Sequence, residues 1–238
     1  MKPILKTSIE NHRGHTVLGF AADTSPLVVD CGAHKGEFAQ SVAAAWGARC
    51  HSIEASPALF ETLDLPDGTK GYNFAVSGKD GEITFTISDN PEASHIGSTS
   101  RSGDAQEITV PTRSLAGFLD SLDEEHIDLL KLDIEGAEVS ALGGLTDQHL
   151  KRIGQITVEF HDFCGYVKSE EVDASIARLK AAGFVAIHFS HHTRGDVLLI
   201  NSAHHRLSAT DKLRIGTIER NIRGFKRIID RIRKKLPT

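Results

Sequence analysis

The stretch Val28–Phe38, VVDCGAHKGEF, runs from an apolar strand-like segment through an acid and two glycines towards an amphipathic helix. Strand, glycine loop and helix in that order open a doubly wound α/β sheet, whose ligands bind beyond the carboxyl ends of the strands. Such loops usually cradle phosphate, because backbone N–H groups at a helix N-terminus favour an anion. Here Asp30 stands at the strand end, and only Gly32 and Gly36 remain of a three-glycine fingerprint. A carboxylate repels phosphate, so the loop suits a cationic or hydroxyl-bearing ligand.

Working outward, strand-like runs alternate with helical ones. LVVD (27–30), RCHSIE (49–54), KGYNFAVS (70–77), IDLLKLDI (127–134), IGQITVEF (153–160), FVAIHFS (184–190) and DVLLIN (196–201) are the expected strands. Phe38, Val42 and Trp46 at four-residue steps, and Val172, Ile176 and Leu179 at four and three, mark helices that cover a sheet. The alternation predicts a mostly parallel, doubly wound sheet. Two runs interrupt it, EITFTIS (82–88) and QEITVPT (106–112), and read as an inserted β-hairpin around a long Ser/Gly-rich loop.

At 238 residues the chain fits one large domain with appendages. Three cysteines without CxxC spacing suggest neither a disulfide framework nor a zinc knuckle. The opening MKPILKTSIENHRGH lacks the apolar run of a signal peptide, so a cytoplasmic protein is expected. Net charge is −5, but Asp211–Thr238 holds ten Lys or Arg against three acids. An acidic body therefore carries a basic tail, and the acidic body argues against nucleic acid as the main substrate. Residues 1–209 are assigned to the main domain, with its core at 27–201. Residues 210–238 form a basic amphipathic helix whose seam runs from Ile215 to Leu236. That helix is expected to dock on an acidic surface, on the body or on a partner protein, with an anionic membrane as the alternative.

Glu54, twenty-four residues after Asp30, ends the second strand in SIEASP, where a carboxylate accepts ribose hydroxyls in nucleoside-binding folds. S-Adenosylmethionine carries an ammonium, a sulfonium and a ribose diol but no phosphate, and it satisfies both acids. An NAD-type oxidoreductase or epimerase is the alternative, weakened by Asp30 and the missing third glycine. A non-catalytic domain that keeps the fold and binds a partner through its tail is the other.

VVDCGAHKGEF, SIEASP, NFAVS followed by Gly81, DLLKLDIEGAEVSALGG and ITVEFH resemble, in order and approximate spacing, the FkbM family of S-adenosylmethionine-dependent methyltransferases. The resemblance spans Val28 to about Asn201, and its most distinctive block is Lys131–Glu138, K-x-D-x-E-G-x-E. His34 stands where asparagine is common, and PTRSLAGFLD lacks the usual T-L-D spelling. The resemblance implies a Rossmann-like class I methyltransferase, usually acting on an oxygen of a sugar or small natural product. By position, Asp30, Gly32, Ala33 and Gly36 would line the methionine portion, Glu54 the ribose and Asn73 the adenine.

Asp133 and Glu159 end the strands IDLLKLD and IGQITVE. If those strands are neighbours, Asp133, Glu135, Glu159 and His161 converge beside the sulfonium, where an acceptor must lie. Methyl transfer to an alcohol gains ~10²–10⁴-fold from a positioned base, and His161, with an ordinary pKa near ~6.5, is the expected one. Mg²⁺ or Mn²⁺ held by the same groups, orienting a diol, is the less favoured alternative. A purely structural role, with Glu135 capping the helix after Gly136, also stays open.

Overall fold

The computed structural model describes residues 5–87, 95–96, 106–165, 167–190, 193–205 and 207–215. A hairpin comes first, β1 (Leu5–His12) and β2 (His15–Phe20). Strand β3 (Leu27–Cys31), helix α1 (Glu37–Trp46), β4 (Arg49–Glu54), the short α2 (Pro57–Phe60) and β5 (Lys70–Asn73) follow. The chain then forms β6 (Ala75–Ser77), β7 (Gly81–Ile87), β8 (His95–Ile96), β9 (Gln106–Ser114) and α3 (Leu115–Asp120). It closes with β10 (Ile127–Leu132), α4 (Glu138–Gly143), α5 (Asp147–Arg152), β11 (Ile153–Val158), α6 (Ser169–Ala181), β12 (Phe184–His188), β13 (Val197–Asn201) and α7 (Ala209–Leu213).

Seven strands make the central sheet, in the order β12-β13-β11-β10-β3-β4-β5. β13 runs antiparallel to both its neighbours, β11 and β12, and the strands from β11 to β5 are all parallel. This is the doubly wound, mostly parallel architecture expected. The order reverses between β3 and β10, and a crevice forms beyond the carboxyl ends of strands at such a switch point. Leu129, Leu130 and Leu132 are fully buried, as strands covered on both faces require.

The helices behave as their periodicity predicts. α1 buries Phe38, Ala39, Val42 and Trp46, starts after Gly36 and stops at Gly47. Both glycines are left-handed, and the Gly47 N–H returns to the Ala43 carbonyl, a common helix stop. α6 buries Val172, Ile176 and Leu179, with Glu170 and Glu171 in its first turn and Arg178 and Lys180 in its last, as the helix dipole favours.

Two expectations change. KGYNFAVS is not one strand: it breaks at buried Phe74, so that β5 stays in the main sheet while β6 joins a second one. Instead of a bare inserted hairpin, that second sheet has four strands, β6-β9-β7-β8, with β6 parallel and β7 antiparallel to β9. Most of the Ser/Gly-rich loop lies outside the described residues.

The β1–β2 hairpin was not foreseen. Its turn residues Arg13 and Gly14 both have positive φ, 50° and 99°, the handedness a two-residue hairpin loop needs. The hairpin is fastened to late strands: the Gln155 side chain accepts from Leu18 N–H at 2.9 Å and donates to the Leu18 carbonyl at 3.0 Å. Thr16 Oγ1 donates to Asp196 at 2.7 Å.

Of the amphipathic tail, residues to Ile215 are described. α7 is capped by Ser208, and Ile215 is buried in a cluster with Leu18, Ile187, Phe189, Leu198 and Ile200. Ile218 and the rest of the seam to Leu236 lie outside the described residues. Among those described, no helix is long and apolar enough to cross a membrane.

Candidate active site

A cavity of about 530 Å³ opens beyond the carboxyl ends of β3, β4, β10 and β11. Gly32, Ala33, His34 and Glu54 line one end and Asp133, Ile134, Glu135 and Glu159 the other. Ile53, Leu59, Phe74, Ala75 and Val76 supply an apolar wall, and Arg13 and His15 reach in from the hairpin.

The loop after β3 decides which ligand fits. Gly32 N–H and Ala33 N–H both donate to the Ile53 carbonyl at 2.9 Å, and Gly36 N–H donates to Ala33 at 2.8 Å. His34 N–H donates to Glu54 Oε2 at 2.8 Å. The Gly32, Ala33, His34 and Gly36 amides of the loop are therefore already engaged inside the protein. Gly32 sits at φ 88°, and a Cβ there would fall 1.8 Å from the Asp133 carbonyl, so the two ends of the cavity abut through a glycine.

Glu54 is buried, and both its oxygens are anchored, the second by Ser56 N–H at 2.8 Å. Burial raises its pKa, against the pull of those two N–H groups and Lys131. Each oxygen keeps a lone pair for a further donor.

Three of the six expected cofactor residues, Gly32, Ala33 and Glu54, line the cavity; the other three stand behind it. Asp30 is fully buried, and its Oδ1 lies 3.1 Å from Lys131 Nζ, so its charge faces that lysine rather than a ligand. The cause is register: Asp30 pairs directly with Lys131 across β3 and β10, and paired residues share a sheet face. Gly36 precedes α1, where a Cβ would meet the Asp64 carbonyl at 2.5 Å. Asn73 donates to the carbonyls of Glu54 and Ala55 and so holds the turn after β4.

The four expected acceptor-side residues do converge. Asp133 Oδ2 lies 3.2 Å from His15 Nε2 and 3.8 Å from Lys131 Nζ, while Oδ1 lies 3.7 Å from His161 Nε2. His161 Nε2 is 3.3 Å from Glu135 Oε2, and its Nδ1 is 2.8 Å from Glu138 Oε1. Glu135 and Gly136 both take positive φ, 53° and 105°, so the acid sits on a strained turn between β10 and α4. The caps of that turn are not Glu135 but Glu138, whose Oε1 accepts from Ile134 N–H and Gly136 N–H.

Charge sets the roles. Burial raises the Asp133 carboxyl, but Lys131, His15 and His161 outweigh it and hold it well below the usual range. Burial, then the charge of Asp133, pushes Glu159 up to about 7. Burial lowers the His161 imidazolium, yet the hydrogen bond and charge of Glu138, with Glu135 and Asp133, carry it up to about 9. The raised value favours the cationic form of His161 at neutral pH, which fits less well with the base role expected of it. The sequence reading also missed His15 and Glu138. Two trios, His15–Asp133–Glu159 and Asp133–Glu135–His161, can each bring ligand atoms within 4.8 Å of one another.

Comparison with known proteins gives a family match over most of the chain. The family described as "Methyltransferase FkbM domain" matches residues 30–186. "Methyltransferase 1" of Beauveria bassiana (strain ARSEF 2860) is 36% identical over 63 residues, 26% of this chain and 25% of that protein. "AMB antimetabolite synthetase AmbE" of Pseudomonas aeruginosa is 38% identical over 72 residues, 30% of this chain and 3% of that protein. The matched regions are thus a quarter or less of these relatives' lengths. The solved TehB-like SAM-dependent methyltransferase from Corynebacterium glutamicum shares 12% identity, with a TM-score of 0.39 over 74% of this chain and 78% of that one.

Proposed function

The chain belongs to the methyltransferase FkbM family, and from that premise we propose that it moves a methyl group from S-adenosylmethionine to a hydroxyl of a glycan or small natural product. The observation that carries the donor is the engaged glycine loop within an acidic cavity. Five lining carboxylates, Glu37, Glu54, Asp133, Glu135 and Glu159, face two bases, Arg13 and Lys131. Both bases are already ion-paired, Arg13 with Glu37 and Lys131 with Asp30. A phosphate would meet carboxylate repulsion, with the Gly32, Ala33, His34 and Gly36 amides already engaged, which disfavours NAD. A ligand with positive charge and hydroxyls meets carboxylates at both ends.

S-Adenosylmethionine supplies, when bound, an electrophilic methyl group on a cationic sulfur. Glu54 would take the ribose hydroxyls with its remaining lone pairs, and Ile53, Phe74, Ala75 and Val76 would cover the adenine. Asp133 and Glu135 favour the cation. Glu159, raised to about 7, is the group we assign to take the acceptor hydroxyl's proton as the new C–O bond forms.

A second reading, a divalent ion orienting an acceptor diol, is supported by the two trios of converging ligand atoms. Titration calorimetry of the full chain separates donor classes. S-Adenosylmethionine or S-adenosylhomocysteine should bind and NAD⁺ should not; the reverse would replace the methyltransfer reading with a redox one. Turnover on any hydroxyl acceptor would eliminate a non-catalytic domain.

A further inference from the structure

The β1–β2 hairpin precedes the family segment 30–186, yet it delivers a side chain into the acid cluster. His15 is 4% exposed, and its Nε2 lies 3.2 Å from Asp133 Oδ2. The ring meets Phe38 edge-on with centroids 5.6 Å apart. Its own strand is anchored to two neighbouring strands, through Thr16 to Asp196 just before β13 and through Leu18 to Gln155 of β11. The imidazole is thus held by packing from one direction and by backbone anchorage from another.

Asp133 is held through its backbone, whose N–H donates to the Cys31 carbonyl at 3.1 Å, while its side chain is 28% exposed. It follows the last residue of β10 and leads into the positive-φ pair Glu135–Gly136. A carboxylate in that place rotates about its χ2 unless one oxygen is taken, since terminal torsions of this kind are broad. His15, with Lys131 at 3.8 Å, takes Oδ2. Oδ1, 3.7 Å from His161 Nε2, keeps lone pairs for a ligand in the cavity that Asp133 lines.

We infer that His15 is a positioning residue, which fixes the Asp133 carboxylate so that one oxygen is presented to the cationic end of the methyl donor. The inference rests on the donor reading above. Its consequence is selectivity: a fixed anion beside the sulfonium favours the donor over its product, S-adenosylhomocysteine, whose sulfur is neutral, whereas a rotating one loses part of that preference. The hairpin, although outside the matched segment, is then part of the binding machinery.

Calorimetry on the full chain tests this with two probes, S-adenosylmethionine and S-adenosylhomocysteine. His15→Leu, which keeps bulk but no donor, should lower the affinity ratio of the two by roughly threefold to tenfold, the scale of a charge contact near a protein surface. Affinity for the neutral product should stay within roughly twofold, and His15→Gln, which retains an N–H donor, should restore most of the ratio. A purely structural role would move both affinities together. An unchanged ratio in a folded His15→Leu protein overturns the inference while leaving the donor reading intact. If the wild-type chain binds neither probe, the donor reading falls and the inference with it. Should His15→Leu not fold, ¹⁵N NMR of the His15 ring decides. Asp133→Asn should shift the Nε2–H resonance, and an unmoved resonance would mean that the two side chains are not bonded.

Discussion

His161 Nδ1 lies 2.8 Å from Oε1 of Glu138, a carboxylate with no solvent exposure. The same oxygen accepts Ile134 N–H at 3.1 Å and Gly136 N–H at 3.2 Å. One buried charge therefore holds both the imidazole and the turn that carries Glu135. Replacing it by an amide, Glu138→Gln, should bring the His161 pKa down from about 9 towards the ordinary histidine value. The expected loss of stability is about 1.5–3 kcal/mol, the worth of a hydrogen bond to a charged group. NMR titration of the imidazole reads the first effect; a value still near 9 would assign it to Glu135 and Asp133 instead.

Stability should follow the same histidine. Its folded pKa, about 9, lies above the unfolded value of 6.5, so the folded state holds the proton more tightly. The stabilisation is complete below 6.5 and disappears as pH rises through about 9. Melting temperatures of wild type and His161→Asn should differ most at mildly acidic pH and converge in alkali. A gap that grows with pH would give the shift the wrong sign.

Glu159 loses stability with rising pH as His161 does, but its loss of a proton is what the proposed base role needs. Its carboxyl is raised from 4.5 to about 7, so ionisation burdens the fold: the extra stability is present below 4.5 and is lost as pH rises through about 7. Glu159→Gln should therefore melt higher than wild type at pH above that range while losing about 10²-fold or more in turnover. Wild-type transfer should rise along a limb centred near the same pH. Full turnover in the Gln variant would remove Glu159 as the base.

Donor affinity should depend on Glu54, whose oxygens are held by His34 N–H and Ser56 N–H. Glu54→Ala should cost about 1.5–3 kcal/mol per charge-assisted contact to ribose. Circular dichroism must first show an intact fold, since two backbone donors also lose their acceptor. Undiminished affinity in a folded variant would take Glu54 out of the site.

Chelation should leave transfer unchanged. Asp133 Oδ2 is already bonded to His15 and His161 Nδ1 to Glu138, which leaves these groups partly occupied as ligands. Loss of turnover in EDTA, restored by Mg²⁺ or Mn²⁺, would favour the metal reading and recast Glu159 as a ligand.

Much of this was readable from residue types and spacing. The strand ends at Asp133 and Glu159 follow short, largely apolar runs, and the buried face of α1 is a period-3.6 signal; both kinds survive tertiary packing. What failed to show was orientation. Asp30 looks like a ligand group in a linear reading, because only register reveals that Lys131 stands opposite it and takes its charge. The hairpin was silent for a different reason: Arg13–Gly14 is not one of the strong turn pairs, and an arginine at positive φ is unusual there. Glu138 was quoted within a motif, but burial alone distinguishes it from the half-buried acids nearby.

The fastening of the hairpin also bears on the order of assembly. Thr16 bonds to Asp196, 180 positions away, and His15 to Asp133, 118 positions away. Contacts of such separation close large loops and form late, after local helices and adjacent parallel strands have met. β2 can seat itself only on β11 and β13, so the contact of His15 with Asp133 closes a far longer loop than that of His34 with Glu54, 20 positions apart. The Glu54 end of the cavity is thus built from contacts near in sequence, and the Asp133 end from contacts that span most of the chain.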